Sequence, residues 1–594
     1  MNPEDFKIPS AADAARMSQD LAEMADQGQK MFTEFLKASN QQLPPEMDPM
    51  NIGDSFSEAN QNMWMDPGKL MRANMQLWTE HMQLWQSMSQ KMMGQKTEPV
   101  IRPEKGDRRF KDSDWDTNPF FDFVKQSYLI TSRWLTDTMA DLDGLDKETA
   151  HKVNFYTKQF ADAFSPTNFV LTNPEVLRAT IESQGENLRK GMENFLEDFD
   201  VSDGTLKTKM TPPDAFELGN NIATTPGKVI YQNDLIQLIQ YMPTTEQVYA
   251  RPLLIFPPWI NKYYILDLTE KKSFIKWTLD QGYSVFLASW VNPDERQAEK
   301  TFEDYMLEGV VDAIEQVKKV SGQPDVTTIG YCVGGTLLAA ALAHLAAKGD
   351  ESVKAATFLA AQVDFSEAGD LKVFIDEQQL SGLDDMMKEK GYLDGEAMFT
   401  TFNMLRANDL IWSFYVNNYL LGKDPMPFDL LHWNSDVTRM PRLTHMFYLR
   451  QMYLKNNLVK PGAIELGGTP IDLTKIDIPI YLQASREDHI APYHSVFKAV
   501  GHYSGPVRAI LSGSGHIAGV INPPAANKYQ YWTNEELPYE PDKWLANAEE
   551  HPGSWWPDWS EWMAMVSGPK VPARVPGDGA LQVIEDAPGS YVKG

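Results

Sequence analysis

Apolar positions follow two regimes along the chain. Up to about residue 200 they recur at three- and four-residue intervals, the spacing of one face of a helix. The clearest stretch is Met71, Met75, Trp78, Met82, Trp85 and Met92, with polar residues between. It predicts a helix whose Met- and Trp-bearing face packs inside its own protein, a surface that binds a partner being the alternative. Residues 1–95, rich in Met, Gln, Asp and Glu, read as helices and linkers, and helical spacing continues from about 115 to 200. A polar stretch containing Gly and Pro, 200–213, marks the boundary. The expected division is an N-terminal helical domain over 1–205 and a second domain over 206–594.

Past that boundary short apolar runs alternate with amphipathic segments. Leu253–Phe256, Ser284–Ala288, Val326–Ile329, Ala356–Leu359, Ile478–Gln483 and Val507–Leu511 read as buried strands. Thr301–Val320 places Phe302, Met306, Val310, Ile314 and Val317 on one face, with a capping pair at Thr301 and Asp304 and a stop at Gly322. Strands alternating with such helices imply a mostly parallel sheet. Residues 372–471, helical and aromatic-rich with Phe414, Tyr415 and Tyr419, interrupt the alternation and read as an inserted lid. From Pro569 the Gly- and Pro-rich sequence predicts a poorly ordered tail.

Composition narrows the function classes. With 42% hydrophobic and 23% charged residues the chain is an ordinary globular one. A net charge of -28 argues against nucleic acid as a partner, since a phosphate backbone requires a basic surface. An anionic substrate would need a local basic patch. No apolar run of about 18 residues is present, so no membrane span is expected. Met1–Ser10 carries Glu4 and Asp5 without a basic segment and apolar run, so no secretory signal is expected. One cysteine among 594 residues excludes an internal disulfide and fits a reducing compartment, which makes the expected location cytoplasmic.

That cysteine, Cys332, lies in Thr328-Ile329-Gly330-Tyr331-Cys332-Val333-Gly334-Gly335-Thr336, between a predicted strand and a helix-prone run. The pattern is a nucleophile elbow with Cys in the place of Ser, and it points to an α/β-hydrolase fold. Its glycines allow strand and helix to approach closely. An acid and a histidine should follow in that order, each after a strand. Asp488, just past Ile478–Gln483, and His516, just past Val507–Leu511, meet the requirement. Asp488 is preferred to the adjacent Glu487 because it precedes the turn His489-Ile490-Ala491-Pro492. His489 reads as a structural, hydrogen-bonded histidine. His489 and His494 lack a further Cys or His at ligand spacing, so no metal site is expected, and no cofactor is implied. An oxyanion hole would draw one backbone N–H from Val333 and another from Trp259, Ile260 or Asn261, because Pro257 and Pro258 have none to offer.

These residues resemble the class I polyhydroxyalkanoate synthases. The resemblance rests on Asp107-Arg108-Arg109-Phe110 with Trp115, on Pro257 through Leu268, on the Cys332 elbow, and on Asn408-Asp409-Leu410-Ile411-Trp412. It extends through Ser485 to His489, Gly515 through Pro524, and Gly553 through Trp559. It implies a Cys332–Asp488–His516 triad, an (R)-3-hydroxyacyl-CoA substrate, a growing polyester chain and release of CoA. It also implies a homodimer, a lid over the site, and an N-terminal domain that aids dimerisation and attachment to cytoplasmic polyester granules with their associated proteins. Two other readings remain open on the residues alone: a cysteine thioesterase of the same fold, and a non-catalytic granule-surface scaffold.

Overall fold

A computed structural model describes residues 48, 50–200 and 205–594, so residues 1–47, including Met1–Ser10, and most of the boundary's first residues lie outside the described part. The chain divides into two compact units, at Pro174–Glu175.

In the first unit, α1 (Ile52–Met65), α2 (Pro67–Met92), α3 (Pro119–Ala140) and α4 (Lys147–Ala163) are the main helices. The predicted helix over Met71–Met92 forms, but the expected burial of its Met- and Trp-bearing face is corrected. Met71, Met75, Trp78 and Met82 are exposed, and the buried stripe is Leu84 and Met88, packed with Phe123 and Ile130 of α3. Both stripes have helical spacing, and only the neighbouring helix decides which is covered. The Asp107–Phe110 motif builds a polar anchor here: Arg109 bonds Asp107 and reaches Asp162 at 2.9 Å.

The second unit is organised by a sheet. Its strands are β1 (Gly227–Gln232), β2 (Ile236–Tyr241), β3 (Leu253–Phe256), β4 (Val285–Trp290), β5 (Val326–Tyr331), β6 (Val353–Leu359), β7 (Ile480–Ser485), β8 (Val507–Ser512), β9 (Gln530–Thr533), β10 (Glu549–Pro552) and β11 (Glu585–Asp586). Among the described residues these eleven strands run in the order β10-β9-β8-β7-β6-β5-β3-β4-β2-β1-β11. The stretch from β4 to β8 is parallel, and the pairs outside it are antiparallel. Of the parallel strands, β3, β4, β5 and β7 are buried along their whole length and β6 and β8 along most of theirs, as the sequence pattern required.

Thr301–Ser321 is capped by reciprocal Thr301 and Asp304 bonds, turns once as a π-helix over Tyr305–Val311, and ends at Gly322 with φ 66°. Residues 360–479, between β6 and β7, are largely helical. The expected poorly ordered tail is not observed. Lys570–Pro572 pairs with Gln247–Tyr249, β11 joins the main sheet, and Val592 is buried. Gln237, a buried polar residue on β2, explains the docking: it bonds Ser590 at 2.9 Å and Glu585, and the tail satisfies it.

Candidate active site

β5 ends at Tyr331, and α5 (Glu186–Asp198), α6 (Asp312–Ser321) and α7 (Val333–Ala347) lie in this unit, α7 opening directly behind Cys332. Cys332 has φ 52° and ψ −128°, a conformation that side chains with a Cβ rarely adopt. The glycines explain why the turn can be so tight. A Cβ on Gly334 would lie 2.4 Å from the Phe256 carbonyl oxygen, and one on Gly330 would lie 2.5 Å from the Gly335 Cα. Cys332 N–H donates to Leu359 O at 2.9 Å, tying the turn to the end of β6. Val333 is the first helical residue, so its N–H has no acceptor within the helix.

His516 and Asp488 meet at the ends of β8 and β7. His516 Nδ1 lies 2.7 Å from Asp488 Oδ2, and Asp488 Oδ1 accepts from the Ile490 and Ala491 N–H groups at 2.9 and 2.8 Å. Both side chains are buried. Burial opposes a charged imidazole, but the Asp488 and Cys332 charges and hydrogen bonds to both raise the His516 pKa well above the ordinary histidine value. Cys332, Asp488 and His516 are thus brought together from three strand ends. The histidine loop is braced from behind: Tyr331 stacks on the imidazole with ring centres 5.7 Å apart, Trp555 Nε1 donates to Gly519 O at 2.8 Å, and Trp556 Nε1 donates to Val520 O at 2.9 Å.

The neighbouring candidates are placed differently. Glu487 offers its N–H to Ser514 O at 2.9 Å, while His494 bonds Asp542 at 3.0 Å. His489 lies beside the site, and burial lowers its pKa to about 4. Its Nδ1 is buried without a partner, so the hydrogen-bonded role expected for it is not seen at that atom. In the Pro257–Lys262 loop, Asn261 bridges Val437 of the inserted segment, and Thr438 Oγ1 donates to Trp259 O at 2.7 Å.

Two residues that sequence reasoning missed approach the cysteine from the insert. Tyr448 and Tyr453 are buried, with ring centres 5.6 Å apart, and Tyr448 packs on Trp259 and Phe365. Burial, with the charge of nearby Cys332 adding to it, pushes both phenol pKa values up. Nothing in their local sequence marks them. The lid aromatic Tyr419 instead turns to α5, where its hydroxyl donates to Asp198 at 2.8 Å.

A family model described as "Poly-beta-hydroxybutyrate polymerase (PhaC) N-terminus" matches residues 106–278, and one described as "alpha/beta hydrolase fold" matches residues 259–518. A poly(3-hydroxyalkanoate) polymerase of Methylorubrum extorquens is 49% identical, over 94% of this chain and 92% of that one. One of Rhizobium meliloti is 50% identical, over 91% and 90%, and one of Cupriavidus necator is 44% identical, over 86% of each. With an α/β-hydrolase sheet presenting a cysteine elbow and relatives of this identity along nearly its whole length, the chain belongs to the poly(3-hydroxyalkanoate) polymerases, which are polymerising acyltransferases.

Proposed function

We propose that the chain polymerises (R)-3-hydroxyacyl-CoA, with 3-hydroxybutyryl-CoA as the favoured monomer, through a thioester on Cys332. The observation that carries this reading is a cysteine held on a strained strand-to-helix turn against a buried His516–Asp488 pair at 2.7 Å. His516 takes the Cys332 thiol proton, the sulfur attacks the acyl-CoA carbonyl, and the carbon–sulfur bond to CoA breaks. CoA departs as the thiol with the proton that His516 carries. One thioester replaces another, so the acyl group stays activated. His516 then takes the proton of a second monomer's 3-hydroxyl, whose oxygen attacks the Cys332 thioester. The ester link forms as the carbon–sulfur bond to Cys332 breaks, and the freed Cys332 sulfur takes the lengthened chain from the second monomer's CoA by repeating the first step. Val333 N–H and a donor from the Trp259–Asn261 stretch, Asn261 foremost, stabilise the oxyanion at each step.

Asp488 has both oxygens engaged, one by His516 and one by two backbone N–H groups. This supports a role in orienting His516 rather than in activating the hydroxyl directly. The buried Tyr448 and Tyr453 support water exclusion by the insert, which protects the thioester from hydrolysis. The open Met71, Met75, Trp78 and Met82 face of α2 fits attachment of the first unit to an apolar polyester surface.

The test is CoA release and polymer formation from 3-hydroxybutyryl-CoA, with peptide mapping of the acylated residue. Cys332→Ala should fold, release no CoA and carry no acyl adduct, because the chain has no other thiol. Acyl groups mapped elsewhere, or polymer from the alanine variant, refute the mechanism. Stoichiometric free 3-hydroxybutyrate without polymer from the unaltered chain would make it a hydrolase.

A further inference from the structure

Gln483 lies on β7 beneath the three reacting groups, and the reaction outlined above makes no use of it. Its side chain is fully buried. An amide offers one acceptor oxygen and two donor hydrogens, and both ends are engaged here. Oε1 accepts from the Ala360 N–H at 3.1 Å, and Nε2 lies 2.9 Å from Ser485 Oγ, 2.8 Å from Ser512 Oγ and 3.0 Å from the adjacent Ala484 carbonyl oxygen. Ala360, Ser485 and Ser512 sit on three strand ends. Ala360 follows Leu359, whose carbonyl holds the Cys332 N–H, and has φ 44°, a strained value for a residue with a Cβ. Ser485 closes β7 just before the Asp488 turn. It also underlies the histidine loop, because a Cβ on Gly519 would come within 2.3 Å of its Oγ. Ser512 closes β8, and its carbonyl accepts the Arg486 N–H of the acid turn at 2.9 Å.

We propose that Gln483 is a positioning residue that sets the spacing of the Cys332 turn, the Asp488 turn and the His516 loop through one buried amide. The inference rests on the triad assigned above. A purely apolar side chain would fill a parallel sheet's interior equally well, whereas a buried amide is tolerated only when its polar atoms are paired. Gln483 meets that condition, and its partners belong to the segments whose relative placement governs acyl transfer.

The experiment uses the full chain and two readouts: steady-state CoA release from 3-hydroxybutyryl-CoA, and the pH profile of Cys332 alkylation by iodoacetamide. Gln483→Leu roughly keeps side-chain volume and strands no partner, since Ala360 N–H also reaches the main-chain carbonyl of position 483 at 2.9 Å, the Ala484 carbonyl keeps Ser512 Oγ at 3.2 Å, and the two serine hydroxyls are 3.1 Å apart. It should lower kcat by about tenfold or more with KM little changed, and move the alkylation profile toward that of His516→Ala. Gln483→Glu retains an acceptor for Ala360 and can accept from both hydroxyls, so it should recover most of the loss. A folded Gln483→Leu variant with unaltered kcat and profile overturns the inference. Should that variant fail to fold, Ser512→Ala decides: a smaller shift in the same direction supports the role, and an unaltered profile overturns it. An unaltered alkylation profile in His516→Ala would instead fault the triad, and this inference with it.

Discussion

Asp488 holds the charge that makes His516 unusual, and its removal has two separable consequences. Burial alone disfavours the imidazolium, and the charges and hydrogen bonds of Asp488 and Cys332 outweigh it. A raised folded-state pKa means that protonation of His516 stabilises the fold fully below the ordinary value of about 6.5 and progressively less as pH rises through the raised value. In Asp488→Asn the thermal midpoint should therefore fall most, relative to the unaltered chain, between about pH 5 and 6.5, and the two curves should converge at alkaline pH. Turnover should drop by about a thousandfold or more, while single-turnover acylation of Cys332 remains detectable by mass spectrometry. Unaltered turnover would remove Asp488 from the triad. These three residues were legible in the sequence because each sits in a short local signal, a glycine-flanked cysteine or a polar turn after an apolar strand. Tyr448, Tyr453 and Gln483 were not, because their importance comes from strands and helices that become neighbours only on folding.

The same distinction separates the elements. The central parallel strands announce themselves as apolar runs, whereas β9 and β10 are short antiparallel strands with the sequences QYWT and EEHP, and β2 carries the buried glutamines Gln237 and Gln240, which break the pattern. Composition placed the domain boundary at 200–213, but the units divide earlier, and α5 shows why. Its Asn187 and Asn194 side chains donate to the carbonyls of Leu420 and Asn418 at 2.8 and 3.1 Å, so this helix is a buttress for the insert. Gly191 permits the contact, since a Cβ there would lie 1.8 Å from the Tyr419 carbonyl oxygen. Gly191→Ala must push the helix away and break both asparagine bonds. It should destabilise the second unit by roughly 1 to 3 kcal/mol, with hydrogen exchange rising first in residues 415–424. Unchanged protection there would mean that α5 does not hold the insert.

The division of the chain predicts how it can be cut. Every residue of the two cores that line the sheet belongs to the second unit, from Phe216 onward. Removing residues 1–174 should leave a chain that melts cooperatively and in which Cys332 alone is alkylated, at a rate close to that of the full protein. Removing only residues 1–95 should be worse for what remains of the first unit. That cut takes away α1 and α2 and with them Leu84 and Met88, each worth about 2 kcal/mol of burial against Phe123 and Ile130. The shorter deletion should thus leave α3 and α4 exchanging their amide hydrogens quickly while β3–β8 stay protected, and it should expose a sticky apolar face that promotes aggregation. Hydrogen exchange read by mass spectrometry on both truncations separates the two outcomes. Loss of protection throughout the sheet in the 175–594 chain would show that the second unit cannot stand alone, and that the contact division marks no folding boundary.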